Sequence, residues 1–224
     1  MASIILNLLP LIVGAAVLPL WLIAALLLVR GQGGVRRAAA FAAGAMLVRV
    51  LQGILFGYVI DTAADAYGGG GSNLIASTLL LVVGILLLIT AIRKWRTEED
   101  PDAPSPQWMA TLGRLSWPKA FGVGALWMTI AVKQWVFTLS AIAVIDEAKV
   151  GQGWSVFAYL VFVLAAHSLV LTPVLVSAVA PTQSAKLLDA MQGWLELHNR
   201  AITIAVSSIF GVWFLGKGIA GLLR

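Results

Sequence analysis

The chain has 224 residues, of which 60% are hydrophobic and 11% charged, whereas a soluble domain carries about 25% charged residues. That composition excludes a soluble globular protein. Because about 20 residues cross the hydrocarbon core of a bilayer, it leaves room for about six spans and none for a separate catalytic domain. The absence of cysteine removes disulfides, thiolate metal sites and thiol redox chemistry. The net charge of +5 fits the basic cytoplasmic loops of a membrane protein rather than nucleic-acid binding.

In chain order, apolar runs bounded by polar or glycine-rich stretches predict spans over residues 3–29, 38–60, 74–92, 119–145, 154–180 and 201–223. Together they form one transmembrane domain over 1–224. Arg30, Arg36 and Arg37 follow the first run, Arg93, Lys94, Arg96, Arg114 and Lys119 follow or border the third, and Lys186 and Arg200 follow the fifth. The other side carries Lys149, Lys217 and Arg224. Ten against three places the first, third and fifth loops in the cytoplasm and both termini outside.

Residues 68–72 read as a flexible Gly-rich turn, and residues 97–107, acidic and rich in proline, as a mobile loop. In residues 183–198, Leu187, Leu188, Met191, Trp194 and Leu195 recur at helical spacing and predict an amphipathic helix on the inner leaflet. Three spans per half imply that any internal duplication is inverted in the membrane. Leu18-Pro19-Leu20-Trp21 and Val132-Lys133-Gln134-Trp135 occupy comparable places in the two halves. The expected fold is an all-α polytopic membrane protein with an inverted three-plus-three repeat.

Ionisable groups inside the spans carry the functional reading, because a charge near the bilayer centre costs at least about 2.5–3.5 kcal/mol. Arg49, Lys133 and His167 lie about halfway along the second, fourth and fifth runs, and all ten acidic residues lie in or beside loops. With no carboxylate at that depth, an anionic ligand would complement Arg49 and Lys133, with Gln134 and His167 as polar partners. The bland alternative is that each satisfies itself against carbonyls freed by a broken helix. Pro19 and Pro173 are candidate breaks, with Gly14 beside the first. Gly53-Ile-Leu-Phe-Gly57 permits close helix packing.

No Gly-x-Ser-x-Gly, His-Glu-x-x-His or phosphate-loop motif occurs, and two histidines make a poor metal set. The sequence predicts no enzyme, cofactor or metal.

Gly14-Ala-Ala-Val-Leu-Pro19, Ala40-Phe-Ala-Ala-Gly44, Trp194-Leu-Glu-Leu-His-Asn-Arg200 and Phe210-Gly-Val-Trp-Phe-Leu-Gly-Lys-Gly218 resemble the GAP family, the glycopeptidolipid and sulfolipid addressing proteins. The wider LysE-like exporter superfamily tends to have Asn-Pro-Lys where this chain reads Ala131-Val132-Lys133. The resemblance implies a six-helix, LysE-like exporter fold in a bacterial plasma membrane, membrane lipids as partners, and a part in moving envelope glycolipids outward beside a larger lipid transporter. Three functions follow in order of expectation. The first is an exporter of an anionic lipid or metabolite, with Arg49, Lys133, Gln134 and His167 as the binding site. The second is a non-transporting accessory to a lipid transporter, and the third an amino-acid or cation exporter. A homodimer is an open possibility for any of them.

Overall fold

The computed structural model describes residues 2–30, 32–67, 71–97 and 107–223. Within them the chain is entirely α-helical. The helices are α1 (Ala2–Ala16), α2 (Pro19–Val29), α3 (Gly34–Tyr67), α4 (Gly71–Arg96), α5 (Gln107–Leu112), α6 (Trp117–Ile130), α7 (Val132–Glu147), α8 (Gln152–Ala166), α9 (Ser168–Val179) and α10 (Pro181–Leu222). The tip of the Gly-rich turn, residues 68–70, and the acidic Pro-rich stretch 98–106 lie outside the described residues.

Two segments are long and apolar enough to cross a membrane unbroken, Gly34–Val59 and Lys186–Leu222. Three helix pairs meet the same test together but bend at a short break: Ile4–Ala16 with Pro19–Val29 by 59°, Trp117–Ile130 with Val132–Glu147 by 72°, and Gln152–Ala166 with Ser168–Val179 by 64°. Counted as one span each, they bring the total to five. The expected span 74–92 lies inside α4, a continuous helix outside that count. The chain is therefore a multi-pass, membrane-embedded all-α protein.

A half-helix such as α2, 11 residues long, extends only about 16 Å, roughly half of the 30 Å hydrocarbon core. The buried side chains follow that division. One cluster gathers α2, the start of α3, α5, α6, α9 and the first turns of α10, around Trp21, Leu26, Phe41, Met128, Val174 and Leu195. The other gathers α1, α4, α7, α8 and the later part of α10, around Leu11, Phe137, Phe162 and Phe214. The buried side chains thus form two apolar layers, one of half-helices and one of half-helices with the continuous α4, both reached by α3 and α10.

Small residues bring the long helices together. A Cβ on Gly44 of α3 would strike the Phe121 carbonyl of α6, and one on Gly124 of α6 would strike the Phe41 carbonyl of α3. The two contacts are reciprocal because each helix carries Phe-x-x-Gly, Phe41 to Gly44 and Phe121 to Gly124. Only backbone-to-backbone approach gives so close a crossing. The Gly53/Gly57 motif is used by half: a Cβ on Gly53 would enter the Tyr159 ring, whereas Gly57 has nothing within 4 Å.

The amphipathic segment 183–198 is continuous with the last span in α10. Leu188 and Leu195 are buried, and Met191 packs against the same cluster. Leu187, Trp194 and Leu197 remain exposed. Arg30, just past the end of α2, reaches Asp189 of α10 at 2.6 Å.

Candidate functional site

Polar residues concentrate where the three broken helices meet α3. Arg49 lies mid-way along α3 and is fully buried, so its guanidinium must find acceptors within the protein. Its Nη2 donates to Gln134 Oε1 and, at 3.4 Å, to the Gln134 carbonyl. Its Nε donates to Thr138 Oγ1 at 3.3 Å. The Phe162 ring of α8 lies 5.3 Å from the guanidinium carbon, a cation–π contact that contributes most where water is absent. Tyr159, one turn earlier on α8, donates its hydroxyl to the Arg49 carbonyl at 2.6 Å. Among the described residues Nη1 has no partner.

Gln134 joins two breaks. It lies in the first turn of α7, immediately after the bend at Ala131, and its Nε2 donates at 3.1 Å to the carbonyl of Ala15, at the end of α1. A C-terminal helix carbonyl has no intrahelical donor, so Gln134 supplies what the first break takes away. The bend at Ala131 is satisfied in the same manner. With the helix interrupted, Met128 O accepts Gln52 Nε2 of α3 at 3.4 Å and Trp135 Nε1 at 3.3 Å. The third break lies at His167, whose Nδ1 donates to Val163 O at 2.8 Å and whose main-chain N–H is shared between Val163 and Leu164.

Of the residues singled out by sequence, Arg49 and Gln134 are in direct contact, and His167 lies buried at the break between α8 and α9, five residues beyond Phe162. Lys133 stands apart. It is half-buried beside the Ala131 bend and makes no hydrogen bond or ion pair among the described residues. Pro19 begins α2 directly after the first break, where a missing N–H costs nothing. Pro173 is inside α9, six residues past the bend at His167. Gly14 is helical; a Cβ there would run into the rings of Phe137 and Phe210, so its role is to seat those rings. Thr138, Tyr159, Gln52 and Trp135 escaped the sequence reading. Gln52 was within reach of it, being polar and three residues after Arg49 on the same face of a helix.

The charge of Arg49 is met by neutral acceptors and an aromatic face rather than by a carboxylate. Such a centre can fix the angles of three broken helices against one continuous helix. Among the described residues no group of three His, Asp or Glu side chains gathers to hold a metal ion.

The family model described as Sap, sulfolipid-1-addressing protein, matches residues 8–220. No curated protein and no solved structure matches the chain. The match corrects the first functional expectation: it identifies an addressing protein, not a LysE-like exporter of ions or metabolites, and gives no link to that superfamily. It favours the accessory reading that the sequence placed second, and it makes the protein a non-catalytic one in contact with membrane lipids. Matched over nearly its whole length, the chain belongs to the family of Sap, the sulfolipid-1-addressing protein.

Proposed function

We propose that this protein is a membrane-embedded accessory that escorts an envelope lipid to, or holds it at, a larger lipid transporter, and that it moves no lipid by itself. The family match over residues 8–220 carries the reading. The interior agrees with it in that Arg49 directs Nε to Thr138 and Nη2 to Gln134 and so ties α3 to α7, with Nη1 alone left without a partner among the described residues. In this reading Arg49, Gln134 and His167 hold the three bends, and Pro19 opens the second half of the first span. Six spans, α4 included, cross a bacterial plasma membrane with the basic loops inside and the termini outside. The two broken pairs α1/α2 and α6/α7 open the two halves of an inverted repeat. The apolar side chains left exposed before the membrane part of α10, namely Leu187, Trp194 and Leu197, are those expected to meet a partner or the inner leaflet.

A host strain lacking the protein, complemented with wild type, Arg49→Met or Trp194→Ala/Leu197→Ala, tests this reading. Surface glycolipid should follow protein abundance for Arg49→Met and fall at unchanged abundance for the α10 variant. The purified protein in vesicles should leave a labelled anionic lipid in its starting leaflet. Translocation of that lipid by the protein alone would overturn the reading.

A further inference from the structure

The loop that leads from α5 into α6 carries a second polar feature, far from Arg49 in the sequence and in the opposite kind of environment. Thr111, Arg114, Leu115, Ser116 and Lys119 line an open hollow of about 480 Å³. Its chemistry is one-sided. Arg114 and Lys119 are exposed and make no hydrogen bond or ion pair among the described residues. Ser116 precedes α6 in extended conformation, and its side chain makes no capping bond. In the first turn of α6 the main-chain N–H groups of Trp117 and Lys119 have no intrahelical acceptor, while Pro118 has no N–H to offer. Two cations and an unused hydroxyl line the hollow, and among the described residues no carboxylate lines it.

The hollow is held in shape from behind. Arg37 of α3 donates through Nη1 to the Gly113 carbonyl at 2.7 Å, and through Nη2 to the carbonyl of Arg30. Arg36 lies 4.5 Å over the Trp117 ring. Leu112 is buried, with Leu115 packed against the same cluster. The donors therefore need no folding of the loop to be presented, and pre-organisation of this kind reduces the cost of binding. Trp117, 46% exposed, sits beside them as aromatic residues do at the membrane–water boundary. A tryptophan at the rim of a donor-rich hollow suits a ligand with an anionic head and an apolar body.

We infer that this hollow binds the phosphate or sulfate ester headgroup of an anionic lipid, with Arg114 and Lys119 as the charged contacts and the Ser116 hydroxyl as a neutral donor. The inference deepens the accessory reading by naming the lipid class, and it rests on that reading for the lipid's being cargo rather than solvent. The test is native mass spectrometry of the full-length protein, counting retained phosphatidic acid against phosphatidylcholine. Wild type is compared with Arg114→Gln/Lys119→Gln and with Arg93→Gln/Arg96→Gln, which removes the same charge from the same expected membrane face. One phosphatidic acid should be retained in preference to phosphatidylcholine, and the Arg114/Lys119 pair should weaken retention about thirtyfold, each basic residue near the surface contributing about fivefold. The Arg93/Arg96 pair should weaken it much less. Equal weakening by both pairs would reduce the hollow to diffuse surface charge. Displacement of the lipid by millimolar inorganic phosphate or sulfate would assign the hollow to a free anion. Either result overturns the inference. Because the measurement involves no flux, it stands apart from the vesicle assay that decides between accessory and transporter.

Discussion

The Arg49–Gln134 contact allows a quantitative test. Gln134→Leu removes two interactions: the bond to a buried cation, at about 1.5–3 kcal/mol, and the donor to Ala15 O, whose loss leaves a buried acceptor at about 1–3 kcal/mol. Breaking the support of a buried charge costs about 3–5 kcal/mol in all, and that range is expected for Gln134→Leu alone. Arg49→Met removes the charge and strands Gln134 Oε1. Combined, the two substitutions leave no unsupported cation, so the double variant should lose less than the two single losses added, by about 1.5–3 kcal/mol. Uncharged interhelical hydrogen bonds in membranes average about 0.6 kcal/mol, so coupling of that size is diagnostic of the charged contact. Unfolding in mixed micelles with increasing dodecyl sulfate, followed through the nine tryptophans, gives all four corners of the cycle. Additivity to within about 0.5 kcal/mol would show that Arg49 is not held by Gln134, and the account of the polar centre would fall.

Other consequences follow from the breaks and the close crossings. Pro173→Ala should leave the α8–α9 bend in place, because the bend is at His167. Spin labels on cysteines introduced at 155 and 176, in a chain with no cysteine of its own, should report an unchanged distance, and straightening would contradict the assignment. Gly124→Leu should destabilise the protein by about 1–3 kcal/mol or more through overpacking, while Gly122→Leu, with nothing within 4 Å of its Cβ position, should leave thermal stability in detergent almost unchanged. Asp189→Ala breaks an ion pair whose side chains are 45% and 67% exposed. It should cost no more than about 1 kcal/mol, and a larger loss would mean that this contact anchors α10.

Hydrophobic runs reveal a multi-pass all-α chain, since burial in lipid demands an apolar segment wherever the chain crosses, but three of the runs are each two helices meeting at a bend. The breaks were less legible. Pro19 marked the first, because proline fits the first turn of a helix and ends what precedes it. Pro173 suggested the wrong residue for the third, since a proline within a helix can be absorbed by its neighbours. The bend at Ala131 had no local cue, as Asn-Pro is missing there. It is supported instead by Gln52 and Trp135 on Met128 O, and Gln52 is 76 residues distant in the chain. For Arg49, the absence of an acid at its depth points to a ligand in the sequence, while the contacts with Gln134 and Thr138 link residues 85 and 89 positions apart that a sequence does not pair. The amphipathic stretch was legible as a helix. That Leu188 and Leu195 turn inward while Trp194 and Leu197 turn outward depends on packing against α2, which periodicity cannot assign.

The support of the second break also bears on the order in which the protein is made. Arg49 and Gln52 on α3, and the Ala15 carbonyl at the end of α1, all precede the segment Trp117–Glu147 in the chain. When that segment leaves the ribosome, the distant hydrogen-bond partners of Met128 and Gln134 are already in the membrane. A bent span emerging first would have to keep the Met128 carbonyl in lipid with only Trp135 to meet it. Synthesised in this order, it meets a template, so circular permutation that places residues 117–147 ahead of α1 and α3 should impair biogenesis even though every contact of the finished fold is retained.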